Sequence, residues 1–241
     1  MSNSNKTYIL LLVLMTTLLC TSCMTYPQDP QHTLDNVLAR GQLRVGVLRH
    51  DPWVTGQPPG QPGGVEGTLI TAFADDLGVD VDWHWGGSEE LFEALTHYEL
   101  DVVIGGVTAS NPWKQELGFT IPYYTSHVIV GLPPTGPMLT DVHNVTVAMR
   151  PMSGLEDSLE DRGAVPVSRE DLAQSDGPIA AEAWEVTNLG FRPTEIRLRT
   201  IKHVIAVPPG ENAWLMRLEN FLLQPTSESQ ITNLLREAAK P

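Results

Sequence analysis

Two short runs constrain the fold of this chain more than anything else in it: Leu43-Arg44-Val45-Gly46-Val47-Leu48 and Leu100-Asp101-Val102-Val103-Ile104-Gly105-Gly106. Both are nearly continuous in apolar residues, and the second enters a glycine turn. A strand that is apolar on both faces must be covered on both, which parallel sheets with helices packed on each side achieve. The segments between the two runs carry helical spacing: Leu69, Ile70, Phe73 and Leu77 share one stripe, and Gly78 ends it. Val79 to Trp85 reads as the next strand. Ser88 then reads as the cap of a helix holding Leu91, Phe92 and Leu95, with Glu89 and Glu90 in the first turn, where the helix dipole favours acids. Asp35 to Arg40 reads as a short helix stopped by Gly41, and residues 55–64 as a Pro- and Gly-rich loop.

Beyond Tyr124 the pattern restarts, with strands at Val128 to Leu132, Val145 to Met149 and Val165 to Val167, and helices at Leu155 to Asp161 and around Ala180 to Leu189. His203 to Val207 reads as a further buried strand. Asn212 to Leu223 follows as a helix with Trp214, Leu215, Leu218, Phe221 and Leu222 on its apolar side, and Ser227 to Ala239 as a terminal helix. The expected fold class is α/β, in two successive units.

The N-terminus has a separate task. Lys6 precedes an apolar run from Tyr8 to Leu19, followed by small residues, the make-up of an export signal and too short for a bilayer-spanning helix. Its end, Cys20-Thr21-Ser22-Cys23, resembles the lipobox of bacterial lipoproteins. That resemblance implies removal of residues 1–22, acylation of Cys23 with chains such as palmitate, and an extracytoplasmic location in the cell envelope, tied to a membrane. Cys20 stands where the motif usually has Leu, so an ordinary secretory cleavage is the alternative. Residues 23–33, rich in Pro and Gln, read as a tether.

Losing Cys20 with the signal leaves a single thiol, so no intramolecular disulfide is expected and the core alone must hold the fold. A formal net charge of −14 repels phosphate backbones and anionic headgroups, which argues against nucleic-acid partners and against basic-patch contact with membranes. The seven histidines are scattered without the i, i+4 pairing of a zinc helix, and neither a Gly-x-Ser-x-Gly elbow nor a glycine-rich phosphate loop appears. No cofactor, no metal and no enzymatic activity are expected.

The order and spacing of four pieces resemble the family 3 extracellular solute-binding proteins, the type II periplasmic binding proteins of ABC importers. They are Gly41-Gln42-Leu43-Arg44-Val45-Gly46-Val47, Gly64-Val65-Glu66-Gly67-Thr68-Leu69, Asp101-Val102-Val103-Ile104-Gly105-Gly106-Val107-Thr108 and Phe119-Thr120-Ile121-Pro122-Tyr123-Tyr124. The resemblance implies a two-lobed periplasmic-binding-protein-like fold, each lobe a mostly parallel sheet flanked by helices, joined by two hinge strands around a ligand cleft. Lobe 1 would comprise 34–126 and 207–241, lobe 2 131–202, with hinge strands near 127–130 and 203–206. It implies a monomeric receptor that closes on a small polar or aromatic solute and presents it to importer permease subunits. A solute-sensing or accessory module is the alternative, and an enzyme on the same fold the third reading. Related binding domains occur fused to cell-wall lytic enzymes, but no catalytic domain is expected in the span that ends at Pro241.

The same resemblance places the ligand contacts. Trp53 stands where an aromatic after the first strand stacks on the ligand; Gly106 and Thr108 stand at the turn that binds its ammonium group. Where amino-acid-binding members carry an Arg for the ligand carboxylate, this chain has Ser110-Asn111-Pro112-Trp113-Lys114. Either the solute lacks a carboxylate and stacks on Trp113, which is the expectation here, or Lys114 or a second-lobe group holds the carboxylate. In lobe 2, Arg150 to Leu155 resembles the turn facing the ligand's anionic end, with Arg150 and Ser153 as candidates, and Glu182 lies near the position of the acid that pairs the ammonium group. Ser153 with Glu156 also reads as a plain capping box, and Trp53 as a sheet-edge cover.

Overall fold

The computed structural model describes residues 29–224 and 227–238. The signal-like segment, Cys23 and most of the tether lie outside the described residues. The first half runs α1 (Thr33–Arg40), β1 (Gln42–Val47), α2 (Gly64–Leu77), β2 (Asp80–Trp85), α3 (Ser88–Thr96), β3 (Val102–Ile104) and β4 (Gly118–Phe119). The second runs β5 (Tyr124–Leu132), β6 (Thr146–Met149), α4 (Glu156–Glu160), β7 (Val165–Ser168), β8 (Ile179–Glu182), α5 (Ala183–Asn188) and β9 (Arg192–His203). The chain closes with β10 (Ala206–Val207), α6 (Asn212–Leu222) and α7 (Ser227–Ala238).

Two five-stranded sheets result, ordered β2-β1-β3-β10-β4 and β7-β6-β8-β5-β9. They share a plan. Each has a parallel trio with its earliest strand in the middle, extended by antiparallel strands: β10 and β4 in one, β5 and β9 in the other. The trio strands β1, β3 and β6 are short and apolar because helices bury them, as their sequence demands. The first lobe has the larger core, in which Trp53, Phe73 and Trp214 are fully buried. Trp214 also donates from Nε1 to the Asp101 carbonyl at 2.7 Å, tying α6 to the start of β3. The second lobe's core is built from smaller residues, chiefly Val, Leu and Ala, and splits into two clusters on either side of its sheet.

Several expectations need correction. Ala180 to Leu189 is not one helix: Ile179 to Glu182 is a strand paired with β5 and β6, and the helix begins at Ala183. Burial between two strands outweighs the helix propensity of an Ala- and Glu-rich run. His203 to Val207 is not one strand either. His203 ends β9 in the second sheet, while Ala206 and Val207 form β10 in the first, so the chain returns between the sheets at this point. The outward passage runs from β4 into β5, whose first residue, Tyr124, lies opposite His203 and packs on the first-lobe core. At α3 the N-cap is Gly87, and Ser88 is the first helical residue without a side-chain cap bond.

Candidate functional site

A cavity of about 310 Å³ lies between the sheets, at the small end of the ~300–1,000 Å³ typical of small-molecule sites. One wall comes from the carboxyl ends of β1 and β3: His50, Trp53, Gly106 and Thr108. The other comes from the turn after β6 and the inner face of β8, β5 and β9: Arg150, Ser153, Glu182, Glu185, Val128, Arg199, Ile201 and His203. Strand ends in α/β sheets are where such sites form, because the connecting turns leave backbone groups facing outward.

The first wall is set by a buried carboxylate. Glu66, in the first turn of α2, is fully buried and accepts from the backbone N–H of Gly105 at 2.5 Å and Gly106 at 3.0 Å, and from the Tyr123 hydroxyl at 2.5 Å. It thereby holds the glycine turn from behind. Gly106 sits at φ +69°, and a Cβ there would meet His50 Nδ1 at 2.4 Å and Trp53 Cδ1 at 2.8 Å, so the turn needs glycine for both conformation and space. Burial pushes the Glu66 carboxyl above its usual range, although its three donors oppose the shift. Burial, followed by the neighbouring Glu66 charge, raises the Tyr123 hydroxyl well above its usual range, which keeps it a donor.

Trp53 stacks on His203, with centroids 3.8 Å apart and planes at 28°, and meets Tyr123 edge-on at 6.3 Å. His203 is 2% exposed. Its Nε2 lies 3.2 Å from Ser126 Oγ and 4.0 Å from Glu182, and its Nδ1 is buried without a hydrogen-bond partner among the described residues. Burial, with a smaller contribution from His50, lowers its pKa to about 3, so the ring is neutral at ordinary pH. A neutral imidazole stacked on an indole is a rigid, uncharged floor for the cleft.

The second wall is charged. Val128 lies opposite Glu182 on one side and Arg199 on the other, so the three form a row across β8, β5 and β9 on one face of the sheet. Its outer members are two strand spacings apart, about 9–10 Å between backbones. The register of β9 slips by one residue between the partners of Val128 and Ile129. Before the slip the buried residues are Thr194 and Ile196; after it Ile201 and His203 point inward with Arg199. Such a bulge re-aims every side chain beyond it. Arg199 donates from Nη1 to the Ser153 carbonyl at 3.4 Å and from Nη2 to the Gly154 carbonyl. Arg150 pairs with Glu185, and that bond is the main reason its guanidinium is held even more firmly protonated than usual. Glu182 accepts from Trp184 Nε1 at 2.9 Å.

The structure thus brings Trp53, Gly106, Thr108, Arg150, Ser153 and Glu182 into one cavity lining. Ser153 is not a helix cap, since the N-cap is Leu155, and its hydroxyl points to Met149 Sδ at 3.7 Å. Trp113 and Lys114 do not line the cavity. Asn111 Oδ1 accepts from the Trp113 N–H at 3.0 Å, Pro112 opens a single 3-10 turn, and the half-buried indole packs on Phe92 at 5.7 Å as part of the first-lobe core. Lys114 is exposed on the same turn. Sequence reasoning missed His50, Glu66, Glu185, Arg199 and His203. Alternation breaks after Leu198, which hints at a bulge but does not say what Arg199 faces.

A model of the bacterial extracellular solute-binding proteins, family 3, matches residues 43–238. The chain belongs to this family. Among curated proteins, this family 3 member is 32% identical over 122 residues to the membrane-bound lytic murein transglycosylase F of Vibrio vulnificus, covering 50% of this chain and 23% of that one. It is 32% identical over 88 residues to the enzyme of the same name from Actinobacillus succinogenes, covering 36% and 18%. The match therefore takes in less than a quarter of the relatives' own length. Among solved structures, it resembles the ancestral cationic amino acid solute-binding protein AncCDT-1 with TM-score 0.71 and 20% identity, over 86% of this chain and 100% of that one. It resembles the L-cystine solute receptor of Neisseria gonorrhoeae, unliganded and open, with TM-score 0.69 and 18% identity, over 85% and 96%. An ancestral cyclohexadienyl dehydratase follows at TM-score 0.63 and 18% identity, over 85% and 95%. At these identities the likeness is one of fold: a family 3 member with the two-lobed α/β architecture.

Proposed function

We propose that this protein is a lipid-anchored extracytoplasmic receptor that closes on a small polar solute and presents the closed form to the permease subunits of an ABC importer. Family membership supports solute binding outside the cytoplasm. The observation that carries the reading is the cavity between the lobes, floored by the neutral Trp53–His203 stack and lined on the second lobe by charged groups, so that a solute touching both walls favours closure. Among the described residues no helix is long and apolar enough to cross a membrane, and the Cys23 lipid is the proposed attachment. Cys23→Ser tests it: the variant should leave the membrane fraction and take up no labelled palmitate.

The solute-binding claim is tested by melting the exported chain against amino acids, polyamines, sugars and small aromatic cations. At least one class should raise the melting temperature at micromolar concentration, since a ligand that binds only the folded state stabilises it by mass action. A flat panel overturns the receptor reading. A second reading, a sensing or accessory module, is favoured by the match to the transglycosylases. Loss of uptake of the identified solute in a deletion strain supports transport; retained uptake supports sensing.

A further inference from the structure

We infer that Arg199 is the group that selects the solute, seating a carboxylate on the second lobe of the cleft. This rests on the receptor reading above. The first wall, His50, Trp53, Gly106 and Thr108, carries no permanent charge. On the second wall, Arg150 is neutralised by Glu185. Arg199 makes no ion pair among the described residues; its partners are two neutral carbonyls, those of Ser153 and Gly154. A guanidinium facing a cleft without a counter-charge attracts an anion.

The carbonyls do more than tether it. A guanidinium has five N–H donors in a fixed plane, and the two bonds to the 153–154 turn occupy one on each terminal nitrogen. Nε–H and a second N–H on each terminal nitrogen remain, the fork that grips a carboxylate through two parallel bonds. Because the arginine is already immobilised, little side-chain entropy is left to lose on binding. The register slip in β9 has the same consequence: without it Arg199 would share the outward face of Glu195 and Arg197.

The far end of the row fits such a solute. Glu182 faces the same cleft, and among the described residues the one basic group within ion-pair distance of it, His203 at 4.0 Å, is too buried to hold a proton. A carboxylate on Arg199 with a donor group toward Glu182 satisfies both poles of the wall. Trp113, which stands where a first-lobe arginine is expected, packs on Phe92 and leaves this task to the opposite lobe.

The test compares acids with their neutral counterparts. The unaltered exported chain is titrated calorimetrically with L-amino acids, small dicarboxylates, the amides of both, sugars and polyamines. The inference expects binding among the carboxylates and at least a tenfold loss on converting the bound acid to its amide. Arg199→Gln, which keeps a donor toward the turn but no charge, should weaken the carboxylate at least tenfold with the apo melting temperature little changed, and Arg199→Lys should recover part of the loss. An amide that binds as well as its acid, a sugar or polyamine as the sole binder, or undiminished affinity in Arg199→Gln overturns the inference and leaves the receptor reading standing. No binder in any class overturns both. Should Arg199→Gln fail to fold, the acid–amide comparison on the unaltered protein decides.

Discussion

The two walls of the cleft are built on the same strand-end geometry, yet they place their carboxylates on opposite sides of the backbone. In the first lobe, Glu66 lies behind the Gly105-Gly106 turn, out of reach of any solute, and its charge goes into fixing three donors. In the second, Glu182 and Glu185 stand in front of the sheet with Arg150 and Arg199. One wall is a shaped surface and the other a charged one. The difference follows from support: the first lobe has a large aromatic core and a helix N-terminus to carry a buried acid, whereas the second, with smaller cores and an exposed turn at 150–154, keeps its ions near water, where they cost less.

Breaking the first wall should have the largest effect. Glu66→Leu leaves the Gly105 and Gly106 N–H groups and the Tyr123 hydroxyl buried without acceptors, each worth about 1–3 kcal/mol, so after partial relaxation a loss of about 3–5 kcal/mol is expected in urea unfolding at pH 7. A loss below about 1 kcal/mol would mean that the turn holds itself. The next effect is acid sensitivity. His203 has its folded-state pKa lowered to about 3 from 6.5, so the unfolded chain binds the proton first and stability falls as pH drops from about 6.5 toward 3. At about 1.4 kcal/mol per unit this amounts to a few kcal/mol. Glu66, whose pKa is raised, opposes it, because the folded state takes that proton more readily. His203→Phe keeps a ring against Trp53 and should flatten the stability profile between pH 6.5 and 4.5. An unchanged slope would assign the acid limb elsewhere.

How far this comparison was legible in the sequence depended on the range of the interactions. The parallel trios were visible because their strands are apolar locally, and Trp53, Gly106, Thr108, Arg150 and Ser153 follow those strands directly. Glu182 was reachable by resemblance, but its strand was not, since Ile179-Ala180-Ala181-Glu182 reads as helix until β5 is laid beside it. Arg199 and His203 belong to the cleft through a pairing with residues more than seventy positions earlier and through a one-residue slip, which local alternation cannot supply. Glu66 was in plain view in Gly64-Val65-Glu66-Gly67, but nothing nearby says that its partners are Gly105, Gly106 and Tyr123. Trp113 misled for the opposite reason: its position matched a ligand group, and its direction, set by the Asn111 cap and Phe92, does not.

That reversal yields a smaller prediction. Trp113→Ala removes a half-buried indole from the first-lobe core and should cost about 2 kcal/mol, less than the ~3–5 kcal/mol of a fully buried aromatic. Affinity for the identified solute should stay within threefold by calorimetry. A tenfold loss of affinity at unchanged stability would return Trp113 to the cleft and make the first wall a stacking surface after all.

The smallest effect probes the second wall, through Glu185→Gln. The Arg150–Glu185 pair is about half exposed on the arginine side, with side-chain exposures of 46% and 15%, so water screens it and breaking it should cost under about 1 kcal/mol. The more telling readout is binding. Removing the Glu185 charge releases Arg150 as a second unpaired guanidinium beside Arg199, and a carboxylate solute should then bind up to a few-fold more tightly, most visibly at low salt, where exposed charges are least screened. A weaker carboxylate complex would mean that Glu185 itself contacts the solute, or orders Arg150 for it. Charge on this wall would then be organised around a solute's cationic end, and Arg150 rather than Arg199 would be the side chain to replace next.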